Sequence, residues 1–140
     1  MDWNAIALGL EAAAETTGLN ALDYVPDDLP NTAMYVGEME IDPNITFGSR
    51  TGTRRGTDQG TITCRVLVAR STDKYAIRKM RQYMAGSGVK SLIQAFQADK
   101  TLGGSCSSSK VARISGNRLF NVGEAKFYGC EIDVFVIGAA

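Results

Sequence analysis

Histidine is missing from all 140 residues. Without an imidazole, histidine-based triads, cysteine–histidine dyads and the common zinc sites are excluded, and with them most hydrolase mechanisms. Cysteine is scarce: Cys64, Cys106 and Cys130 are odd in number, cannot all pair within one chain, and none stands in a C-x-x-C. Cys64 and Cys130 alternate with apolar neighbours, the setting of buried free thiols. Long apolar runs are missing too. The mostly apolar stretch Ala5 to Ala14 is interrupted by Glu11, has no basic residue before it and is too short for a bilayer. Neither a signal peptide nor a membrane anchor is therefore expected, and the chain is expected to stay in the cytoplasm where it is made.

The remaining absence is the most informative. Met1 to Ser49 holds no lysine or arginine but nine carboxylates, a charge of −9; Arg50 to Ala140 holds fifteen basic and six acidic residues, +9, so the neutral total conceals a segregated chain. Such asymmetry implies two oppositely charged surfaces that meet within one subunit or between head-to-tail neighbours. A head-to-tail contact whose rotation closes makes a ring. With 44% hydrophobic and 21% charged residues the composition is that of a globular protein, and 140 residues bound one domain, 1–140, with a sizeable core.

What is present begins with the stretch Gly60 to Gly104. Ile62, Cys64, Val66 and Val68 alternate with Thr61, Thr63, Arg65 and Leu67, the period of a half-buried strand over 61–70. Ala76, Ile77, Met80, Tyr83 and Met84 then fall at helical spacing behind the N-cap candidates Ser71, Thr72 and Asp73. Val89, Leu92, Ile93 and Phe96 make a second helical stripe with Ser87 as its cap, and Thr101-Leu102-Gly103-Gly104 releases the chain. Upstream, Asp2 caps a helix whose face is Trp3, Ile6, Ala7, Leu10, Ala13, Ala14 and Thr17, closed by Gly18. Residues 19–31 hold two of the three prolines and read as an irregular connector. Residues 32–41 read as a strand with Ala33, Tyr35, Met39 and Ile41 opposite Met34, Val36, Glu38 and Glu40.

A long loop, 42–60, follows that strand, with Arg50, Arg54 and Arg55 at its tip among glycines and threonines. A loop of this length is functional or mobile: either a solvated hairpin or an arm that orders on a neighbour. Downstream, Val111, Arg113 and Ser115 alternate with Lys110, Ala112 and Ile114, and Ser115-Gly116-Asn117 offers a turn. A last strand over 125–137 sets Cys130, Ile132, Val134 and Val136 against Glu131, Asp133, Phe135 and Ile137. The order α-β-β-α-α-β-β predicts an α+β fold: a four-stranded antiparallel sheet with helices packed on one face.

Few motifs carry chemistry. Gly86-Ser87-Gly88-Val89-Lys90-Ser91 superficially matches a phosphate loop, but Val89 stands where glycine must precede the lysine, and a helix, not a strand, leads into it. The carboxylate pairs Glu38/Glu40 and Glu131/Asp133 each share a strand face; a solvated or interface strand explains them better than acid–base catalysis. Lys74, Arg78, Lys79 and Arg81 make the second helix basic on its outer side, yet a neutral chain without aromatics interleaved in a basic groove is a poor candidate for specific nucleic-acid binding. No cofactor, metal or catalytic residue is expected.

An apolar strand, a short helix, then SLIQAFQADKTLGG resembles the tail terminator, or tail completion, proteins of long-tailed bacteriophages. The segment NVGEAKFYGCEIDVFVIG, Asn121 to Gly138, is similar to that family's closing strand. The resemblance implies a structural subunit of the virion tail at its neck-proximal end, assembled in the host cytoplasm. It implies a homo-oligomeric ring, a hexamer, that seats on the last ring of tail tube protein, halts tube growth and joins the head-side connector protein. Phage DNA would pass through the lumen without a tight site, and no membrane is involved. Charge and loop length then nominate Arg50, Arg54 and Arg55 as contacts to the tube or a neighbour. They nominate Glu38 and Glu40, against Lys74, Arg78, Lys79 and Arg81, as the ring interface. The alternatives are a head–tail connector or stopper, a tail tube subunit, and a small nucleotide-binding enzyme centred on Gly86 to Ser91.

Overall fold

The computed structural model describes residues 1–26, 32–43, 57–69, 74–123 and 125–139. Helix α1 (Trp3–Glu15) starts where expected: the Asp2 carboxylate accepts from the amides of Asn4 and Ala5 at 3.1 Å each, satisfying two of the donors a helix start leaves open. It is capped at Thr16, and the chain turns away through Gly18, whose φ of 87° suits a residue without a side chain. Five strands follow the sequence as β1 (Asn20–Leu22), β2 (Ala33–Asp42), β3 (Thr57–Ala69), β4 (Ser108–Val122) and β5 (Ala125–Ala139), with helices α2 (Lys74–Met84) and α3 (Leu92–Ala98) between β3 and β4.

The sheet order is β1-β2-β3-β5-β4, with β1 parallel to β2 and every other pairing antiparallel. This corrects the expected four-stranded, purely antiparallel sheet. The added strand, β1, lies in the stretch read as an irregular connector; three residues are too few to display a period of two. It pairs Asn20, Ala21 and Leu22 with Ala33, Met34 and Tyr35, so the chain returns to the same end of the sheet before starting β2.

Three boundaries also move. β3 begins at Thr57, so Thr57 to Gly60 are strand and not loop; Asp58 is buried against the Met1 ammonium at 3.4 Å, which hides its polar reading. Ser115-Gly116-Asn117 is not a turn. β4 runs through it, taking up the surplus as a register shift between Ser115 and Arg118. Asn121 and Val122 belong to β4, and the hairpin to β5 turns through Gly123 at φ 60°. The N-cap candidates Ser71, Thr72 and Asp73 lie outside the described residues.

All three helices cover one face of the sheet. Ile6, Leu10 and Ala14 of α1, Ala76, Met80 and Tyr83 of α2, and Leu92 and Phe96 of α3 share one core with Met34, Ile62, Cys64, Val66, Ile132, Val134 and Val136. α3 is capped by Ser91 rather than Ser87: its Oγ accepts from the Gln94 amide at 3.1 Å and donates to the Ala85 carbonyl. On the opposite face a smaller buried cluster, Ala33, Tyr35, Leu67, Phe120, Val122 and Phe127, occupies one end.

Candidate functional site

The face of the sheet away from the helices becomes polar beyond that apolar cluster. β5 contributes Glu131 and Asp133, β3 contributes Thr63 and Arg65, and β4 contributes Arg113 and Arg118. Arg118 donates to Glu131 at 2.7 Å, Arg65 reaches the same carboxylate at 4.0 Å, and Arg113 lies 3.6 Å from Asp133, which also accepts from the Thr63 hydroxyl at 2.9 Å. Phe120 is near both guanidiniums, 5.0 Å from Arg65 and 4.5 Å from Arg118. Arg65 also donates to the Tyr35 hydroxyl at 3.2 Å, beside a shallow groove of about 240 Å³ lined by Val25, Tyr35, Gly37, Glu38, Thr63 and Arg65. Burial alone would lower the Arg65 pKa, but the Tyr35 bond and the charges of Glu131 and Glu38 raise it on balance, so the cation is held by its surroundings.

Two bulges set which charges appear here. Between Val36 and Met39, β2 slips by one residue against β3. Simple alternation would put Met39 and Ile41 with Ala33 and Tyr35. After the slip, Met39 packs into the helix-side core with Met34 and Val36, and Glu40 stands opposite Thr61 on the open face. β4 slips likewise between Val111 and Arg113, so that Lys110, opposite Phe135, and Arg113, opposite Asp133, share the open face while Val111 and Ile114 pack toward the helices. The open face is therefore polarised sideways. Glu38, Glu40 and Asp42 line its β2 side and Lys110, Arg113 and Arg118 its β4 side.

Both margins are strand edges. β1 pairs with β2 only as far as Tyr35, leaving Val36 to Asp42 without a strand on that side among the described residues, and β4 is the last strand of the sheet. None of the described ion pairs uses a carboxylate from Met1 to Ser49; the side-chain acids they use are Asp58, Glu131 and Asp133. Among the described residues no salt bridge ties a carboxylate of the first third to the basic part of the chain, though Glu38 acts on Arg65 at longer range. Internal repulsion in the acidic third is visible at Glu11, whose pKa is raised by burial and then by Asp23 and Glu15.

Within one chain the residues nominated for a ring interface lie on opposite faces of the sheet. Glu38 and Glu40 are exposed on the open face, whereas α2 packs on the other side of the sheet. Lys74, Arg78 and Arg81 are exposed there, and half-buried Lys79 donates to the Thr32 hydroxyl at 2.7 Å. Arg50, Arg54 and Arg55 lie outside the described residues. Lys110, Arg113 and Arg118 were not singled out from the sequence. Alternation alone sets Lys110 and Arg113 on opposite faces; their sharing one face depends on the bulge between Val111 and Arg113, and their place on an edge on strand order, neither of which such a pattern carries.

The remaining chemical candidates are occupied structurally. In the Gly86 to Ser91 turn the Gly88 amide donates to Gln94 Oε1 at 3.0 Å and Ser91 is spent on the α3 cap, while Val89 is 92% exposed. Among the described residues no group of three acids or cysteines is placed to hold a metal, and no helix is long and apolar enough to cross a membrane. All three cysteines are buried and unpaired. Burial, with Asp133 adding to it, pushes the Cys64 thiol up to about 12; burial, with Glu131 adding to it, pushes Cys130 up to about 12. At pH 8 essentially no thiolate exists at either position, and the thiolate is the reactive form. The folded protein is therefore expected to resist iodoacetamide at Cys64 and Cys130, with both labelled only in denaturant. Mass spectrometry showing fast labelling of either in the native state would contradict this burial.

These features define a class: a small mixed α/β domain with helices on one face and, on the other, an open, laterally charged sheet face whose outer strands have no further partner among the described residues. A scan against known protein families finds no match for the chain, and a search of curated proteins finds none.

Proposed function

We propose that the chain is a structural subunit that closes into a ring on the end of a phage tail tube, a tail terminator that stops tube growth and presents a joining surface to the head-side connector. The observation that carries the reading is the segregation of charge along the chain, which no salt bridge among the described residues bridges. A chain with −9 in one part and +9 in the other makes none of its described ion pairs with the acids of the first part. Exposed acids such as Glu38 and Glu40 that make no salt bridge among the described residues are available to basic groups of a neighbour, and head-to-tail contact is the arrangement that brings the two together. The resemblance of Ser91 to Gly104 and Asn121 to Gly138 to tail terminators supplies the setting. The work is then fit and charge matching: a cap whose one face matches the tube and whose other face offers no tube-like surface ends polymerisation.

The test is direct imaging. Purified protein is mixed with preformed tail tubes and viewed by negative-stain electron microscopy. Rings seated at one tube end are the expected result. Self-assembly of the chain into long tubes would instead identify a tube subunit, and protein that never engages tube ends would remove the terminator assignment.

A further inference from the structure

The helix layer carries two charged stripes that look out of opposite sides of it, and we infer that they meet between copies: the flank of α1 bearing Leu8, Glu11 and Glu15 packs on the flank of α2 bearing Lys74, Arg78 and Arg81 of the next chain. The inference rests on the ring reading above and names its contact.

Helical spacing gathers each stripe. At about 100° per residue, Asn4, Leu8, Glu11 and Glu15 run up one side of α1, and Lys74, Arg78 and Arg81 up one side of α2. What packs on their other sides fixes where they look. Ile6, Leu10 and Ala14 turn α1 onto the sheet, and Gly9, Ala13 and Thr16 line a groove with Ala95 and Leu102 beside α3. The acidic stripe therefore lies on the flank of α1 away from α3, where Asp23, just past β1, is near enough to act on Glu11. In α2, Ala76, Met80 and Tyr83 face the core while Lys79 reaches the Thr32 hydroxyl at the start of β2. Lys74, Arg78 and Arg81 come round the other side of that helix from Lys79, away from β2. Since α1 sits over β1 and β2 and α2 over β3 and β5, the acids look off the β1 side of the layer and the bases toward the β4 side.

Neither stripe is spent within the chain. No salt bridge among the described residues uses Glu11, Glu15, Lys74, Arg78 or Arg81. α1 contains no basic residue and α2 no acidic one, so the two helices are opposite in sign from end to end. Their spacing also agrees: Glu11 and Glu15 stand one turn apart, about 6 Å along the axis, and so do Lys74 and Arg78. Each stripe has apolar company in solvent. Leu8 is 47% exposed beside the acids, and on the β4 side Leu119, opposite Tyr128 and hence on the helix face of the sheet, is 45% exposed. Stripes that point apart in one subunit meet under a head-to-tail rotation, and closure of the ring leaves every copy with both satisfied. The charges set partner and register, and Leu8 with its apolar surroundings adds burial.

The experiment is charge reversal in the full chain, read by sedimentation velocity and light scattering. The unmodified chain is expected to form a closed oligomer. Glu11→Lys/Glu15→Lys and Lys74→Glu/Arg78→Glu are each expected to give folded monomers with unchanged circular dichroism. Mixed in equal amounts, the two variants are expected to assemble again, each supplying the sign the other lost, into oligomers that contain both. The milder Glu11→Gln/Glu15→Gln should shift assembly to higher protein concentration. Oligomers that form unaltered in both reversal variants overturn the contact; if Glu38→Lys/Glu40→Lys then dissolves them, the ring stands on the open face instead. Reversal variants that stay monomeric when mixed also overturn it, because their loss of assembly was not one of charge matching. An unmodified chain that remains monomeric at high concentration overturns contact and ring together.

Discussion

Gly129→Ala is expected to destabilise the protein by about 3 kcal/mol or more, the upper range for overpacking a core. A β-carbon at Gly129 would lie 2.2 Å from the Val66 carbonyl oxygen and 2.7 Å from Leu67 Cδ2. Backbone cannot swing aside as a long side chain can. Gly129 sits on β5 between Leu67 of β3 and Arg118 of β4, where the β3 register shifts after Leu67, so parting the strands would disturb the sheet on both sides. Against a total stability of about 5–15 kcal/mol for a domain, and a urea slope of about 1–3 kcal/mol/M, the midpoint should fall by at least about 1 M. Gly86→Ala is the control. Nothing lies within 4 Å of a β-carbon there, so its midpoint should stay near that of the unmodified chain. Equal midpoints for the two variants would refute the close approach at Gly129.

Phe96→Ala is expected to cost about 3–5 kcal/mol, the range for emptying a buried aromatic site. α3 has only seven residues, too few to be stable alone. Leu92 and Phe96, at 0% and 2% exposure, fasten it to the helix-side core. Removing the ring should loosen α3 as well as leave a cavity, so amide exchange should speed up across Leu92–Ala98 more than in α1. Ile93, half-buried on the same helix, provides the contrast: Ile93→Ala should cost clearly less. If the two truncations cost the same, α3 is not held by Phe96.

The elements legible in the sequence are those with room to show a period. α1 and α2 repeat at helical spacing for three turns, and β3 and β5 alternate for long enough to fix which residues face the core: Ile62, Cys64 and Val66, and Ile132, Val134 and Val136, are all buried on the helix side. Bulges defeat that logic. One inserted residue reverses every face beyond it, so Met39 and Glu40 exchanged sides relative to simple alternation, and Arg113 joined Lys110 rather than opposing it. β1 was too short to read. The Glu38 and Glu40 half of the candidate site was visible as charge on a strand. Its β4 half was not, because being an edge is a relation between distant parts of the chain. The segregation of charge, by contrast, is legible from counting alone, and no described salt bridge joins its two parts.

The three-residue strand β1 has a use out of proportion to its size. It occupies the flank of β2 up to Tyr35 and stops, so a strand arriving from outside finds a fence on one side and open ground only from Val36 onward. The short parallel strand thereby shields the flank of Ala33 to Tyr35, where the smaller apolar cluster lies, from pairing with any other chain.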